Sequence, residues 1–204
     1  MNGRFSTVTL ALIPLAIVIN IVLGQLVQNV LRIPLYLDSI GTVLVGALAG
    51  PLAGGLTGLL ANIIWQVLFP NSGIIWFAPV ALVIGLIAGF AGRAGWLKRW
   101  YQAALVGLLT GIVGAALSAP IAAYVFGGVT GAGTDALVAI FQNFTNSIIT
   151  ANFLQGTVSD PIDKVATYLI VWLIIKGLSR SLLTRFPLGE RYITRRKPLI
   201  GRVD

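Results

Sequence analysis

The sequence predicts an all-α membrane protein: a six-transmembrane-helix bundle with an outer glycine-rich loop and a re-entrant or amphipathic helix between the fifth and sixth spans. Of the 204 residues, 57% are hydrophobic and only 10% are charged, and the mean hydropathy is +0.92. A soluble domain of this length needs far more polar surface, so we expect lipid to be the solvent for most of the chain. Apolar runs of spanning length also recur along the sequence, separated by short breaks.

The predicted spans follow in chain order from these runs and breaks. The first run begins "TLALIPLAIVINIVLGQLV" and has no small-residue cleavage site after a short apolar core, which favours a membrane helix over a signal peptide. Pro51 directly after Gly50 indicates a tight turn between the second and third helices. "FPNSG" ends the third, and the basic loop "RAGWLKRW" separates the fourth and fifth. The spans cover about residues 8–31, 36–50, 51–68, 74–92, 101–126 and 160–178, within a single transmembrane bundle of residues 1–178.

Positive charge predicts the orientation of the bundle. From residue 176 to the end there are eight Lys or Arg residues against two acidic ones, so most of the net charge of +8 belongs to a basic cytoplasmic tail, residues 179–204. With six crossings, the tail shares one side with Arg4 and with Arg93, Lys98 and Arg99, which places both termini in the cytoplasm. The outer loops then hold chiefly Arg32 and Lys164. A tail at this position is typical of contact with anionic lipid, so we expect no nucleic-acid partner.

The segment 135–156 is long enough for a seventh crossing, but that crossing would put the basic tail outside. It also carries many polar side chains for a lipid-facing helix: Gln142, Asn143, Thr145, Asn146, Ser147, Thr150, Asn152 and Gln155. We therefore expect 127–159 to form one outer structure, in which a glycine-rich loop precedes the re-entrant or amphipathic helix and Thr134 or Asp135 caps that helix.

The loop "FGGVTGAGTDAL" at 126–137 is not a phosphate-binding loop, because no Lys followed by Ser or Thr comes after its last glycine. We interpret it as the hinge of an outer lid that carries Gln142 and Asn146, four residues apart, over a ligand. The alternative is a passive flexible connector.

Glycines four apart at Gly46, Gly50, Gly54 and Gly58, and at Gly107 and Gly111, indicate either close helix packing or a surface for a partner subunit.

The chain contains no His and no Cys, and no two carboxylates are spaced for metal binding within a span. We therefore expect neither an enzyme nor a cofactor or metal site.

Amides, aspartates and tryptophans converge on the predicted outer half of the bundle, as in a site for a small, flat, polar organic molecule. Asn62 and Trp65 share a helical face, and Asn62 lies about 16 Å from Pro51 at 1.5 Å per residue. The expected substrate-binding residues are Asp38, Asn62, Trp65, Trp76, Asp135, Gln142 and Asn146.

Several of these residues have other interpretations. Trp76 suits an interfacial aromatic belt, and Asp38 and Asp135 suit helix N-termini. Asn62 differs, because an unsatisfied amide within a span is costly and must meet another helix, water or a ligand.

Three segments together resemble the substrate-binding S component of energy-coupling factor (ECF) transporters: "LYLDSIGTVLVGALAGPLAGGLTGLLANIIW" (35–65), "FGGVTGAGTD" and "SDPIDKVATYLIVWLIIKGL" (159–178). The resemblance lies in size, span number, glycine pattern and Asp163-Lys164 at the start of the last helix. It implies a subunit in the plasma membrane of a prokaryote that captures a vitamin or related micronutrient through outer loops and helix ends. Uptake would then require a transmembrane coupling (T) protein and two ATPase subunits. Many members carry alanines four apart on the first helix as the docking face for the T protein, whereas this chain has Ala16, Asn20 and Gly24 at that spacing.

The alternative function is a membrane sensor subunit of a signalling system, since glycine-rich multispan sensors have a similar composition. Such a sensor would normally continue into a cytoplasmic output domain, and the roughly 26 residues after the last predicted span are too few to form one.

Overall fold

The structure, a computed structural model, describes residues 6–193, and this part of the chain is helical with no β-strand. Four of its helical segments are long and apolar enough to cross a membrane: Thr7–Val30, Pro51–Leu68, Ile74–Ala94 and Trp100–Phe126. The all-α membrane class is thus supported by the structure at the level of fold. In chain order the α-helices are α1 (Thr7–Gly24), α2 (Ile40–Ala49), α3 (Pro51–Leu68), α4 (Ala78–Ala94), α5 (Trp100–Phe126), α6 (Asp135–Thr145), α7 (Ile148–Gly177) and α8 (Arg180–Leu183).

Shorter helical turns complete the chain between these elements. Helix α1 continues as a π-helical segment, Gln25–Val30, before the loop of residues 31–39. Two 3₁₀ turns, Pro70–Ser72 and Ile74–Phe77, connect α3 to α4, and a third, Gly189–Tyr192, follows α8. The loops 31–39, 69–77 and 127–134 lie at one end of the bundle, which we call the loop end. The α2–α3 turn, the α4–α5 connection and the residues after α7 lie at the other.

Helices α2, α3 and α4 pack with their backbones in direct contact at glycine residues. A Cβ atom on Gly54 would lie 2.6 Å from the Cα of Gly46 and 2.6 Å from the carbonyl oxygen of Gly85. Gly50 ends α2 with a φ of 100°, a conformation that favours glycine, and Pro51 begins α3 directly after it. The predicted tight turn is therefore confirmed.

Helices α5 and α7 form an antiparallel pair with the same kind of contact. Gly107 faces the backbone of Lys164, and Gly111 faces the carbonyl oxygen of Asp160. The predicted glycine pattern is therefore used for packing inside the bundle. The face of α1 that carries Ala16, Asn20 and Gly24 is also buried, against α2 and α3, so a partner cannot dock there.

We expect Gly54→Ala to lower the free energy of unfolding by about 1–3 kcal/mol, because the added methyl group forces α2, α3 and α4 apart. The matched control is Gly177→Ala, where a Cβ atom meets nothing within 4 Å. Unfolding of both variants in mixed detergent micelles measures the difference. Equal stability of the two variants would show that the glycine contacts do not hold these helices together.

The last helix differs from its predicted extent. It begins at Ile148 and not near residue 160, so the segment predicted as one outer structure divides into α6 and the first turns of α7. Asn146, in a left-handed conformation with a φ of 49°, forms the break between the two helices. Lys164 is consequently not in an outer loop but buried near the middle of α7. Asn152 and Gln155, two of the polar side chains that argued against a lipid-facing helix in this segment, are buried against protein.

The predicted basic tail begins with a folded segment. Leu183 and Phe186 are buried in the main core cluster, Leu188 N–H donates to the Leu48 carbonyl, and the Tyr192 hydroxyl donates to the Ala47 carbonyl. Residues 179–193 therefore cap the end of α2. The rest of the predicted tail, 194–204, and Arg4 lie outside the described residues.

Candidate ligand-binding site

A cavity of about 260 Å³ lies among the helices near the loop end of the bundle. Its walls come from helices α1 to α7, the π-helical segment and the loops 31–39, 69–77 and 127–134. The lining combines amides and hydroxyls with aromatic and small apolar side chains, a mixture that is typical of sites for small organic ligands. Three carboxylates line it, those of Asp38, Asp135 and Asp160, together with the ammonium group of Lys164.

Lys164 is held in the cavity wall by two hydrogen bonds and two ion pairs. Its Nζ atom donates to Asp163 Oδ2 at 2.6 Å and to Ser39 Oγ at 3.0 Å. Asp38 Oδ1 lies 3.7 Å from the same atom, and the Tyr36 ring centroid lies 5.9 Å away. The ammonium group thus donates two hydrogen bonds to the wall, and its charge is paired with two carboxylates.

Asp163 clamps the loop 31–39 onto α7. Its Oδ1 atom accepts from the backbone N–H groups of Tyr36 at 2.9 Å and Leu37 at 2.8 Å, while Oδ2 accepts from Lys164. Leu37 has a φ of 49°, which non-glycine residues seldom adopt, and these bonds stabilise it in that conformation. Asp163 is fully buried, so the clamp is shielded from water.

Asp160 lies one turn before Lys164 on α7 and is 5% exposed. Ser118 Oγ on α5 donates to its Oδ2 atom at 3.1 Å, and this is the one side-chain hydrogen bond that Asp160 receives from residues 6–193. A carboxylate accepts about four hydrogen bonds, so most of its acceptor capacity remains unused.

Aromatic side chains form another part of the wall. Trp65 on α3 packs its six-membered ring against Gly24 on α1, where a Cβ atom would overlap the indole. Its Nε1 atom is buried without a hydrogen-bond partner among the described residues. Phe77 and Phe126 stack with ring centroids 5.6 Å apart and an interplanar angle of 18°. The cavity therefore offers aromatic surface and one indole donor.

Amides complete the lining. Asn20 donates through Nδ2 to Thr42 at 2.8 Å and accepts at Oδ1 from Gly41 N–H at 2.7 Å, which ties α1 to α2. Asn62 donates to the Ile74 carbonyl at 3.4 Å. Asn152 donates to the Ile148 carbonyl, but its Oδ1 atom is buried with no donor among the described residues.

The structure brings four of the seven sequence-predicted site residues to this cavity: Asp38, Asn62, Trp65 and Asp135. Trp76, Gln142 and Asn146 are exposed and do not line it. Gln142 and Asn146 point away because α6 pairs with the start of α7 and contributes only Thr134 and Asp135, at its first turn, to the wall. Their contact with a ligand stays a prediction.

The loop 127–134 is organised by Asp135. Its Oδ1 atom accepts from the N–H and the hydroxyl of Thr130 at 3.1 and 2.9 Å, and its Oδ2 atom accepts from Gly131 N–H at 2.7 Å. Gly131 has a φ of 84°, so the turn requires glycine there. Thr134 is the residue before α6 but makes no capping bond through its side chain. Asp135 therefore closes the loop, and neither residue caps the helix as predicted.

Sequence reasoning missed Asp160, Tyr36 and Gln155. Tyr36 connects loop and helix, since its hydroxyl donates to Thr134 at 3.4 Å and accepts from Gln155 at 3.2 Å. A usable signal was present for Asp160: Asp160 and Lys164 are four residues apart, which places them on one helical face. In the sequence alone, Asp163 and Lys164 indicate the start of the last helix instead.

The arrangement suits reversible binding of a small molecule. Within residues 6–193, no group of three or more His, Cys, Asp or Glu side chains is placed to hold a metal ion. The chain matches no protein-family model and has no significant match among curated proteins.

Proposed function

We propose that this protein is the substrate-specific membrane subunit of an ECF-type ABC importer, which captures a vitamin or related small micronutrient on the outer side for ATP-driven uptake. The observation that carries the proposal is the cavity of about 260 Å³ near one end of an apolar helical bundle, lined by buried amides, carboxylates and aromatic rings. Buried polar groups of this kind are costly inside a membrane protein unless they bind something.

The proposed topology has six crossings, made by α1, α2, α3, α4, α5 and α7, with both termini in the cytoplasm of a prokaryotic cell. The distribution of charge supports it. Arg93, Lys98 and Arg99 lie at the end of the bundle opposite the loop end, where the residues after α7 also lie. Trp172 on α7 donates to the Lys98 carbonyl at 3.2 Å, so these basic segments are neighbours. The positive-inside rule then puts the cavity end outside.

The proposed partners are a transmembrane coupling (T) protein and two ATPase subunits. The sequence contains no phosphate-cradling motif, so hydrolysis of ATP falls to other subunits in this proposal. The large apolar side chains exposed on α1, such as Leu15, Val18 and Val22, belong to the surface that lipid or a partner covers.

Two measurements test the function directly. Native mass spectrometry of the purified protein is expected to reveal a bound small molecule. Proteoliposomes that contain this chain with the T protein and ATPases of the same organism are expected to accumulate that molecule when ATP is supplied. Uptake that proceeds equally without this chain would contradict the proposal, as would ATP hydrolysis by the chain alone.

The topology makes a separate prediction. Reporter fusions placed after residue 204 and within the loop 127–134 are expected to report opposite sides of the membrane, because an odd number of crossings lies between them. The control is a fusion between residues 95 and 99, which should agree with the fusion at residue 204. The same side for the first two positions would show that the number of crossings is wrong.

A further inference from the structure

The charges around the cavity are unbalanced. The chain has a net charge of +8 and only six acidic residues. Three of these six, Asp38, Asp135 and Asp160, line the cavity, and a fourth, Asp163, lies directly behind Lys164. Among residues 6–193, Lys164 is the one cationic residue in the lining. Four of the six acidic residues of this strongly basic protein therefore lie at or next to the cavity.

Lys164 already has partners in the wall: its Nζ atom donates to Asp163 and Ser39, and its charge is paired with Asp163 and with Asp38 at 3.7 Å. Among residues 6–193, an anionic group in the cavity would therefore meet three lining carboxylates and one ammonium group whose charge is already paired. Such a ligand would therefore be repelled.

Asp160, in contrast to Lys164, has most of its hydrogen-bonding capacity unused. It is buried, faces the cavity, and receives a single side-chain hydrogen bond, from the neutral hydroxyl of Ser118, among the residues that the structure describes. Asp135, by contrast, is satisfied by Thr130 and Gly131 within its own loop. Asp38 accepts from Gln28 Nε2 at 3.3 Å and is paired with Lys164. Asp160 is thus the lining carboxylate with the most capacity for an external donor, and a positively charged donor binds a carboxylate most strongly.

Two further atoms point independently to a ligand. Trp65 Nε1 and Asn152 Oδ1 belong to cavity-lining residues that are 2% and 1% exposed, and neither atom has a hydrogen-bond partner among residues 6–193. The first requires an acceptor and the second a donor. Aromatic rings from Trp65, Phe77 and Phe126 supply the apolar wall, and such rings also attract cations.

We propose that the ligand is a flat organic cation, a heterocycle or amine whose positive group is bound by Asp160 while its ring lies among the aromatic side chains of the cavity. The proposal rests on the proposed function in that it takes the cavity as the capture site, and it adds the chemical class of the substrate. The competing explanation is that the carboxylates form a purely structural network with Lys164.

The experiment compares probes that share one ring system and have similar size but differ in charge. One set is 1-methylnicotinamide, nicotinamide and nicotinate, and the other is tryptamine, tryptophol and indole-3-acetate. The unfolding temperature of the full-length protein in detergent, followed by light scattering, is measured against the concentration of each probe. We expect the cation of at least one set to stabilise the protein at the lowest concentration, and its anion to have no effect.

Variants then assign the preference to Asp160. Asp160→Asn keeps the size of the side chain and is expected to weaken binding of the cation by about thirtyfold or more, as for loss of one partner of a buried charge pair. Glu190→Gln removes an equal charge from an exposed residue in the 3₁₀ turn after α8, and it is expected to leave binding unchanged. If Asp160→Asn does not fold, the probe series on the unaltered protein decides by itself.

Three results would overturn the inference: stabilisation by the neutral or anionic probe that equals that by its cation, an Asp160→Asn variant that keeps the cation preference, or no stabilisation by either cation. These outcomes are separate from failure of the proposed function, because binding is measured without partner subunits. A cation preference without ATP-dependent uptake would support the proposed ligand class and contradict the importer function. ATP-dependent uptake of a neutral or anionic compound would support the importer function and contradict the ligand class.

Discussion

Asp163→Ala is expected to lower the free energy of unfolding by about 3–5 kcal/mol, since it removes one partner of a buried ion pair and leaves Lys164 with weaker contacts. The same change deletes the acceptor for the N–H groups of Tyr36 and Leu37. Asp163→Asn keeps an oxygen for these two donors and loses only the charge, so a smaller loss is expected. Unfolding in mixed micelles measures both variants.

A double variant separates the ion pair from the backbone clamp. Adding Lys164→Met to Asp163→Ala removes the unpaired ammonium group, so the double variant should lose less stability than the sum of the two single variants. Exposed Glu190→Gln is the control for loss of a carboxylate and is expected to stay within about 0.5 kcal/mol of the unaltered protein. Stability of Asp163→Ala within that same range would show that the clamp does not stabilise the fold.

Trp65→Phe is expected to weaken ligand binding by about tenfold or more, because it removes the buried indole N–H and part of the aromatic surface. Trp65→Ala should weaken binding further, and it should also destabilise the packing against Gly24 by about 3–5 kcal/mol. The readout is the affinity for the molecule found by native mass spectrometry, measured by calorimetry.

The chain offers a matched control for this change in Trp76, which lies eleven residues further along and is 56% exposed outside the cavity. Trp76→Phe is expected to leave the affinity unchanged. An effect of Trp76→Phe as large as that of Trp65→Phe would place the ligand outside the cavity, nearer to the predicted outer surface.

Local patterns in the sequence predicted the helices well where lipid and close packing determine them. Helices α3 and α5 occupy nearly the predicted residues, because long apolar runs bounded by Gly and Pro leave few alternatives. Helix α7 begins at Ile148, twelve residues before the span that the apolar pattern predicts. Its polar first turns pack against α5 and α6, and Gln155 donates to Tyr36 of the loop 31–39. Hydropathy along the chain contains no information about such partners.

The site shows the same division. Asn62 and Trp65 could be recognised because a polar and an aromatic residue share one face of an apolar helix. The spacing of Asp160 and Lys164 puts them on one helical face but does not by itself assign Asp160 to the site, since charged residues are normally evidence for the end of a span. The burial of Asp163 and Lys164 depends on Tyr36, Leu37, Asp38 and Ser39, which precede them by more than 120 residues. A pairing over that distance is decided by tertiary structure.

That distance also has a consequence for biosynthesis. Tyr36 and the Asp163 carboxylate that accepts its N–H are 127 residues apart, and ribosomes add about 5–20 residues per second. The loop 31–39 therefore leaves the ribosome roughly 6–25 s before the residue that fixes its conformation. Nascent chains arrested before residue 163 are expected to have α1 to α5 inserted while this loop remains accessible to protease. Completion of the ligand cavity is accordingly one of the last events in the production of the protein.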